Sequence, residues 1–190
     1  MRLLIVESPS KASTIKAYLG ADWEVVSSYG HIRDLPKNEI AVDIVSNFRP
    51  KYVLTERGER EIKKIARFAA RAVAVYLATD PDREGEAIAW HVKDAIRKEL
   101  SSKKLVFHRV VFHEITREII RAAVTKPRDI DTRLVAAQEA RRVPDRLVGY
   151  TVSPRLSELG GEPLSAGRVQ SIAVKLVVLR EREIVFQPKF

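Results

Sequence analysis

The chain has 190 residues, 45% of them hydrophobic and 7% aromatic, which is enough for one compact domain plus part of another and excludes wholesale disorder. It has no cysteine, so disulfides, zinc ribbons and thiol nucleophiles are excluded within it. A formal net charge of +9 and a pI near 9.9 favour a polyanionic partner, because Lys and Arg contacts release counterions from phosphates. The opening apolar run is too short for a signal segment or a membrane span, which leads to the expectation of a cytoplasmic protein with no membrane partner. One Met, few Asn and Gln, and 31% charged residues lean toward a thermophile composition.

Arg2–Val6 (RLLIV) reads as a buried strand ended by Glu7-Ser8-Pro9. Ser8 suits a helix cap and Pro9 the first turn of a helix that reaches Leu19 and stops at Gly20. Residues 23–28 form a second strand and 29–36 a loop, whereas 37–54 carry no decisive pattern. The spacing of Ile62, Ile65, Ala66 and Ala69 predicts a helix over 59–70. The continuous apolar run 72–78 (AVAVYLA) fits a central parallel strand buried on both faces. A helix over about 84–100, a strand over 105–112 and a helix over 116–124 follow. Strands alternating with helices imply an α/β fold, with a mostly parallel sheet flanked by helices.

At Lys126-Pro127-Arg128-Asp129 the pattern becomes a polar linker, and beyond it only helices are predicted, over 131–150 and 165–184. A break at Gly160-Gly161-Glu162-Pro163 separates them, and Ile172, Val174, Leu176 and Leu179 read as core positions of the second. The expected domains are 1–126, α/β, and 127–190, an incomplete helical domain that is the more basic per residue.

Asp80-Pro81-Asp82-Arg83-Glu84-Gly85-Glu86 sets four carboxylates just past the end of the strongest strand, the edge where open α/β sheets bind ligands. Asp80 and Asp82 alternate in extended backbone and Glu84 opens a helix, so three of the four can converge. Their repulsion calls for a cation, and Mg²⁺ suits hard oxygen ligands that leave room for water and phosphate. An acidic helix start explains one or two of these residues, not four in seven. Glu7, at the end of the first strand, falls on the same edge if the two strands are parallel neighbours. Lys11 lies near a helix start, where phosphate is favoured. An acid that moves a proton and a lysine that holds a phosphate make a phosphodiester site.

Glu7 followed by Asp80-x-Asp82-x-Glu84 resembles the Toprim domain, which topoisomerases, primases and some nucleases share. Further segments resemble type IA DNA topoisomerases, in that family's order: Glu7-Ser8-Pro9-Ser10-Lys11, Gly30-His31-Ile32-Arg33-Asp34-Leu35-Pro36, RVVFHEIT over 109–116, Ala140-Arg141-Arg142 with Asp145 to Tyr150, and LSAGRVQS over 164–171. The resemblance implies a Toprim-type fold over 1–126 and the start of a helical DNA-binding domain after it. It implies an ATP-independent isomerase that cleaves and religates single-stranded DNA through a tyrosine and relaxes negatively supercoiled DNA in the nucleoid. Glu7, Lys11 and Arg109 would be catalytic, and Asp80, Asp82 and Glu84 would hold Mg²⁺. His31, Arg141, Asp145, Arg168 and Gln170 would contact DNA.

In the family the attacking tyrosine lies in a Tyr-x-Arg-Thr type sequence, and none of the five tyrosines here has that context. The chain alone is therefore expected to be inactive and to need the missing carboxy-terminal domains as partners. A start at Met1 argues against reverse gyrase, which carries a helicase-like region before these motifs. The competing readings are a non-catalytic DNA-binding module of Toprim type and a Toprim nuclease or primase. Pro144 departs from the family's bulkier apolar residue, and a proline there is expected to kink the helix between Arg141 and Asp145.

Overall fold

A computed structural model describes residues 1–186, so the last four positions of the expected 127–190 domain lie outside the described residues. The elements run β1 (Arg2–Val6), α1 (Pro9–Leu19), β2 (Trp23–Ser27), β3 (Arg33–Asp34), β4 (Val42–Asp43), β5 (Arg49–Pro50) and β6 (Val53–Leu54). They continue with α2 (Glu56–Ala69), β7 (Val75–Leu77), α3 (Arg83–Glu99), β8 (Phe107–Arg109), α4 (Arg117–Thr125), α5 (Thr132–Gly160) and α6 (Arg168–Phe186). They form two compact units: Met1–Leu35 with Tyr52–Glu139, and Pro36–Lys51 with the chain from Ala140 onward.

The first unit is built on a four-stranded parallel sheet in the order β2-β1-β7-β8. Alternation along β1 explains the two cores. Leu3 and Ile5 pack with Val75, Leu77, Ile62, Ile65, Ile88, Val92 and Ile96 on the face covered by α2 and α3. Leu4 and Val6 pack with Ile15, Trp23, Val25, Val110 and Ile120 on the face covered by α1 and α4. An apolar run without polar interruption is what a strand covered on both sides requires. The sequence reading of an α/β fold with a mostly parallel sheet flanked by helices, followed by a helical segment, thus describes the structure.

The helix starts follow their caps. Ser8 accepts from the Lys11 N–H, Thr55 from Gly58 (2.9 Å), Asp82 from Gly85 (2.8 Å) and Thr116 from Ile119. Thr55 makes α2 begin at Glu56, three residues before the sequence expectation. Gly58 also lets α2 press on the preceding loop, because a Cβ there would lie 2.0 Å from the Ile32 carbonyl oxygen.

The second unit differs from the sequence reading in two respects. Helix α5 does not stop near Tyr150 but continues through Pro144 and Pro154 to Gly160. The positions Ile172, Val174, Leu176 and Leu179 are not core: they are 44–62% exposed, and α6 has no buried residue. Their spacing marks an apolar face, but no described segment buries it. The expected linker is also tied down, since Arg128 exchanges backbone hydrogen bonds with Arg109 at 2.8 and 2.9 Å. No helix among the described residues is long and apolar enough to cross a membrane.

His91 on α3 is 2% exposed, lies 4.5 Å from the Tyr52 ring and 5.0 Å from the Trp90 ring, and its Nδ1 has no hydrogen-bond partner. Burial, with the positive charges of Arg33 and His31 nearby, pushes its pKa down from 6.5 to about 4. The unfolded chain therefore binds the extra proton between pH 6.5 and 4, so this stabilising term is full above 6.5 and is lost as the pH falls to 4. Urea melts should show a loss of about 3 kcal/mol over that window from this residue. His91→Gln should lack that component; an identical acid profile in the variant would show that other groups govern it.

Candidate functional site

Parallel pairing of β1 with β7 brings Glu7 and the acidic loop to one edge of the sheet. Glu7 Oε1 accepts from the Asp80 backbone N–H at 2.9 Å, across 73 positions of sequence. Lys11, in the first turn of α1, donates to the Asp80 carboxylate. Glu84 accepts from His31 Nε2 at 2.6 Å, and Asp82 caps α3. Desolvation by burial raises the Glu7 pKa, with the Asp80 and Asp82 charges adding to it, against the Asp80 N–H and Lys11, which lower it. A half-buried acid with a raised pKa, beside a lysine and three more carboxylates, can hold or release a proton next to a bound phosphate.

The donor set suits Mg²⁺: hard carboxylate oxygens, with Asp80 and Glu84 side chains 43% and 52% exposed and so open to water. Among the described residues no three His, Asp or Glu side chains stand in an arrangement that could hold an ion; Asp80 is paired with Lys11 and Glu84 with His31.

Arg109 is 1% exposed, and its donors meet protein acceptors. Nε donates to Glu86 (3.1 Å); NH1 donates to the carbonyls of Leu77, Thr79 and Val110 (3.1, 2.8 and 2.6 Å); NH2 donates to the Asp80 carbonyl (2.7 Å). Glu86 is fully buried and also accepts from Arg128 NH1 and NH2 (2.8 and 2.7 Å) and from the Asp131 N–H (2.7 Å). Burial alone raises the Glu86 pKa, but Arg128, the Asp131 N–H and Arg109 outweigh it and hold the group below the ordinary value. Sequence reasoning left Glu86 and Arg128 without roles, although a signal was there. Residues two apart on a helix point about 200° apart, so Glu86 faces the sheet when Glu84 faces outward. Gly85 between them has no room for a Cβ, which would lie 2.1 Å from the Asp80 carbonyl oxygen.

The second unit has its own cluster. Asp145 accepts from Arg168 Nε and NH2 at 2.6 and 2.9 Å, a bidentate pair that lowers the Asp145 pKa, aided by Arg141 and Arg142. Arg141 is exposed, and Gln170 folds back over Gly167, its Nε2 3.0 Å from where a Cβ would stand. Arg146, unassigned from sequence, is buried. It donates to the Pro36 carbonyl at 2.9 Å, and its guanidinium lies 4.3 Å from the Tyr150 ring centroid.

A Glu at the end of one parallel strand and an acidic loop at the end of its neighbour define a Toprim-class site. The family profile of the Toprim domain matches residues 2–115, and that of the DNA topoisomerase domain residues 129–189. The chain belongs to the type IA DNA topoisomerases, of which it carries the Toprim domain and the start of the topoisomerase domain. It is similar to a protein described as "DNA topoisomerase I, plasmid" from Xylella fastidiosa (strain 9a5c), 54% identical over 184 residues. That match covers 97% of this chain but 27% of the relative. It is also similar to full-length topoisomerase I from Thermotoga maritima, with a TM-score of 0.86 and 46% identity over 98% of this chain and 31% of that one.

Two substitutions test this geometry. Glu86→Gln leaves a buried guanidinium without its counter-charge and should destabilise the first unit by about 3–5 kcal/mol in denaturant melts; a loss below about 1 kcal/mol would mean that the carbonyl oxygens alone suffice. Gly85→Ala must displace Asp80, so the chemical shifts of the acidic loop should move even if the variant folds.

Proposed function

We infer that this chain supplies the metal- and phosphate-handling half of a type IA topoisomerase site that cleaves and religates single-stranded DNA to relax negative supercoils. The observation that carries the reading is the Glu7 carboxylate on the Asp80 N–H, with Lys11 beside it, which joins two sequence motifs at one sheet edge. Glu7 transfers a proton at the scissile phosphate, and Lys11 holds that phosphate. Asp80, Asp82 and Glu84 are the residues that would hold Mg²⁺, which when bound supplies positive charge that orders DNA ends for religation. Arg109 serves the site through the Asp80 carbonyl rather than by touching DNA. His31, Arg141, Asp145, Arg168 and Gln170 contact the single strand. The expected domains, 1–126 and 127–190, divide the work: the first carries the phosphate chemistry together with His31, and the second carries the other strand-contacting residues. The attacking tyrosine and the remaining domains come from outside these 190 residues, and the setting is the cytoplasmic nucleoid.

The chain spans 27% of the relative it matches, so the direct test is complementation. Mixed with a type IA topoisomerase that lacks its Toprim domain, the chain should restore Mg²⁺-dependent plasmid relaxation. Glu7→Gln and Lys11→Ala should each lower the restored rate by about a hundredfold or more. The chain by itself should form no 5′-phosphotyrosyl adduct. Full restoration by both variants would sink the reading.

A further inference from the structure

A cleft of about 280 Å³, just under the usual size of small-molecule sites, lies along the open side of β2 between α1 and α2. Because β2 is the edge strand of the sheet, no other strand covers that side. The cleft walls are apolar, formed by Val25, Val26, Ile65 and Phe68. Its polar groups are Ser27, Glu61 and Lys64, the last two paired at 2.8 Å, so the Glu61 charge is neutralised.

Tyr29 also lines it, with its residue 42% exposed. Two locally unfavourable choices meet at this ring. Tyr29 has φ +58°, a left-handed conformation that is strained for a bulky residue. Arg57 sits in the first turn of α2, where the helix dipole disfavours a cation, and its guanidinium lies 4.6 Å from the Tyr29 ring centroid. Phe68, another wall residue, has the Arg71 guanidinium 5.7 Å from its own ring. Strain retained at an exposed aromatic residue points to a use for the ring.

The cleft is bonded to the phosphate site. Ser27 Oγ donates to the Glu7 carbonyl (2.8 Å) and accepts from the Tyr29 N–H (2.9 Å), and the Gly30 N–H donates to the same Glu7 carbonyl (3.0 Å). We propose that this cleft binds a base of single-stranded DNA close to the phosphate site, with Tyr29 as the stacking platform and Arg57 as its cationic partner. Aromatic faces take any base, and the flanking arginines attract the backbone, the combination that single-strand-binding grooves use. The proposal rests on the reading of Glu7 and Lys11 as a phosphodiester site.

The test is fluorescence anisotropy of the full 190-residue chain with a short oligo-dA and with an abasic oligonucleotide of equal length. Tyr29→Gly removes the ring and suits the positive φ, so its melting temperature should hold or rise. It should nevertheless weaken oligo-dA binding by about tenfold or more and leave abasic binding unchanged. Tyr29→Phe should retain affinity, and Arg57→Ala should show a partial loss. Oligo-dA binding by Tyr29→Gly within twofold of the parent overturns the proposal, as does an equal loss on the abasic strand. Lys11→Ala should weaken both oligonucleotides alike; if it alone has no effect, the phosphate reading fails while the base cleft stands.

Discussion

Much of the first unit depends on one buried carboxylate. Glu86 lies between two guanidiniums, Arg109 and Arg128, in a place that water does not reach. Without it, Arg109 would be an uncompensated interior charge, among the costlier defects a fold can carry. With it, Arg109 can extend across the sheet and gather the carbonyls at the ends of β7 and β8 and at the start of the acidic loop. The Asp131 N–H on the same carboxylate fixes where α5 begins.

This arrangement separates the carboxylates by environment. Glu86 is buried with cations and stays ionised, whereas Glu7 is partly buried with other acids around it and its pKa is raised. Asp80 and Glu84, nearer to water, are matched to Lys11 and His31. One sheet edge therefore carries Glu7, an acid that holds its proton more tightly than usual, close to the acidic loop whose buried Glu86 stays ionised. An acid of raised pKa beside a bound phosphate suits proton transfer there.

Much of this was legible in the residues themselves. RLLIV and AVAVYLA are apolar without interruption because both faces of their strands are covered, and Ser8-Pro9 and Gly20 delimit α1 as caps do. The convergence of Glu7 with Asp80 followed from assuming that their strands pair in parallel, as they do. Glu86 and Arg128 were less legible because their roles depend on burial, which composition does not reveal. Only the opposite facing of Glu84 and Glu86 hinted at it. The end of α5 was placed ten residues early, near Tyr150: the expected helix already contained Pro144, but the structure carries Pro154 within it as well and ends it at Gly160. The α6 positions were misread because amphipathic spacing shows which face is apolar, not whether a described neighbour covers it.

The strand order carries a consequence for how the molecule is made. β1 lies between β2 and β7, so its first partner emerges soon after it and its second only after α2 has been synthesised. As the chain leaves the ribosome, Leu3 and Ile5 have one paired side and one open side until Val75 to Leu77 arrive. Closing so long a loop is slow, although the free-energy cost grows only with the logarithm of its length. The nascent β1–α1–β2 segment is thus the stage most exposed to misassociation, and the Glu7–Asp80 contact becomes possible only when that stage ends.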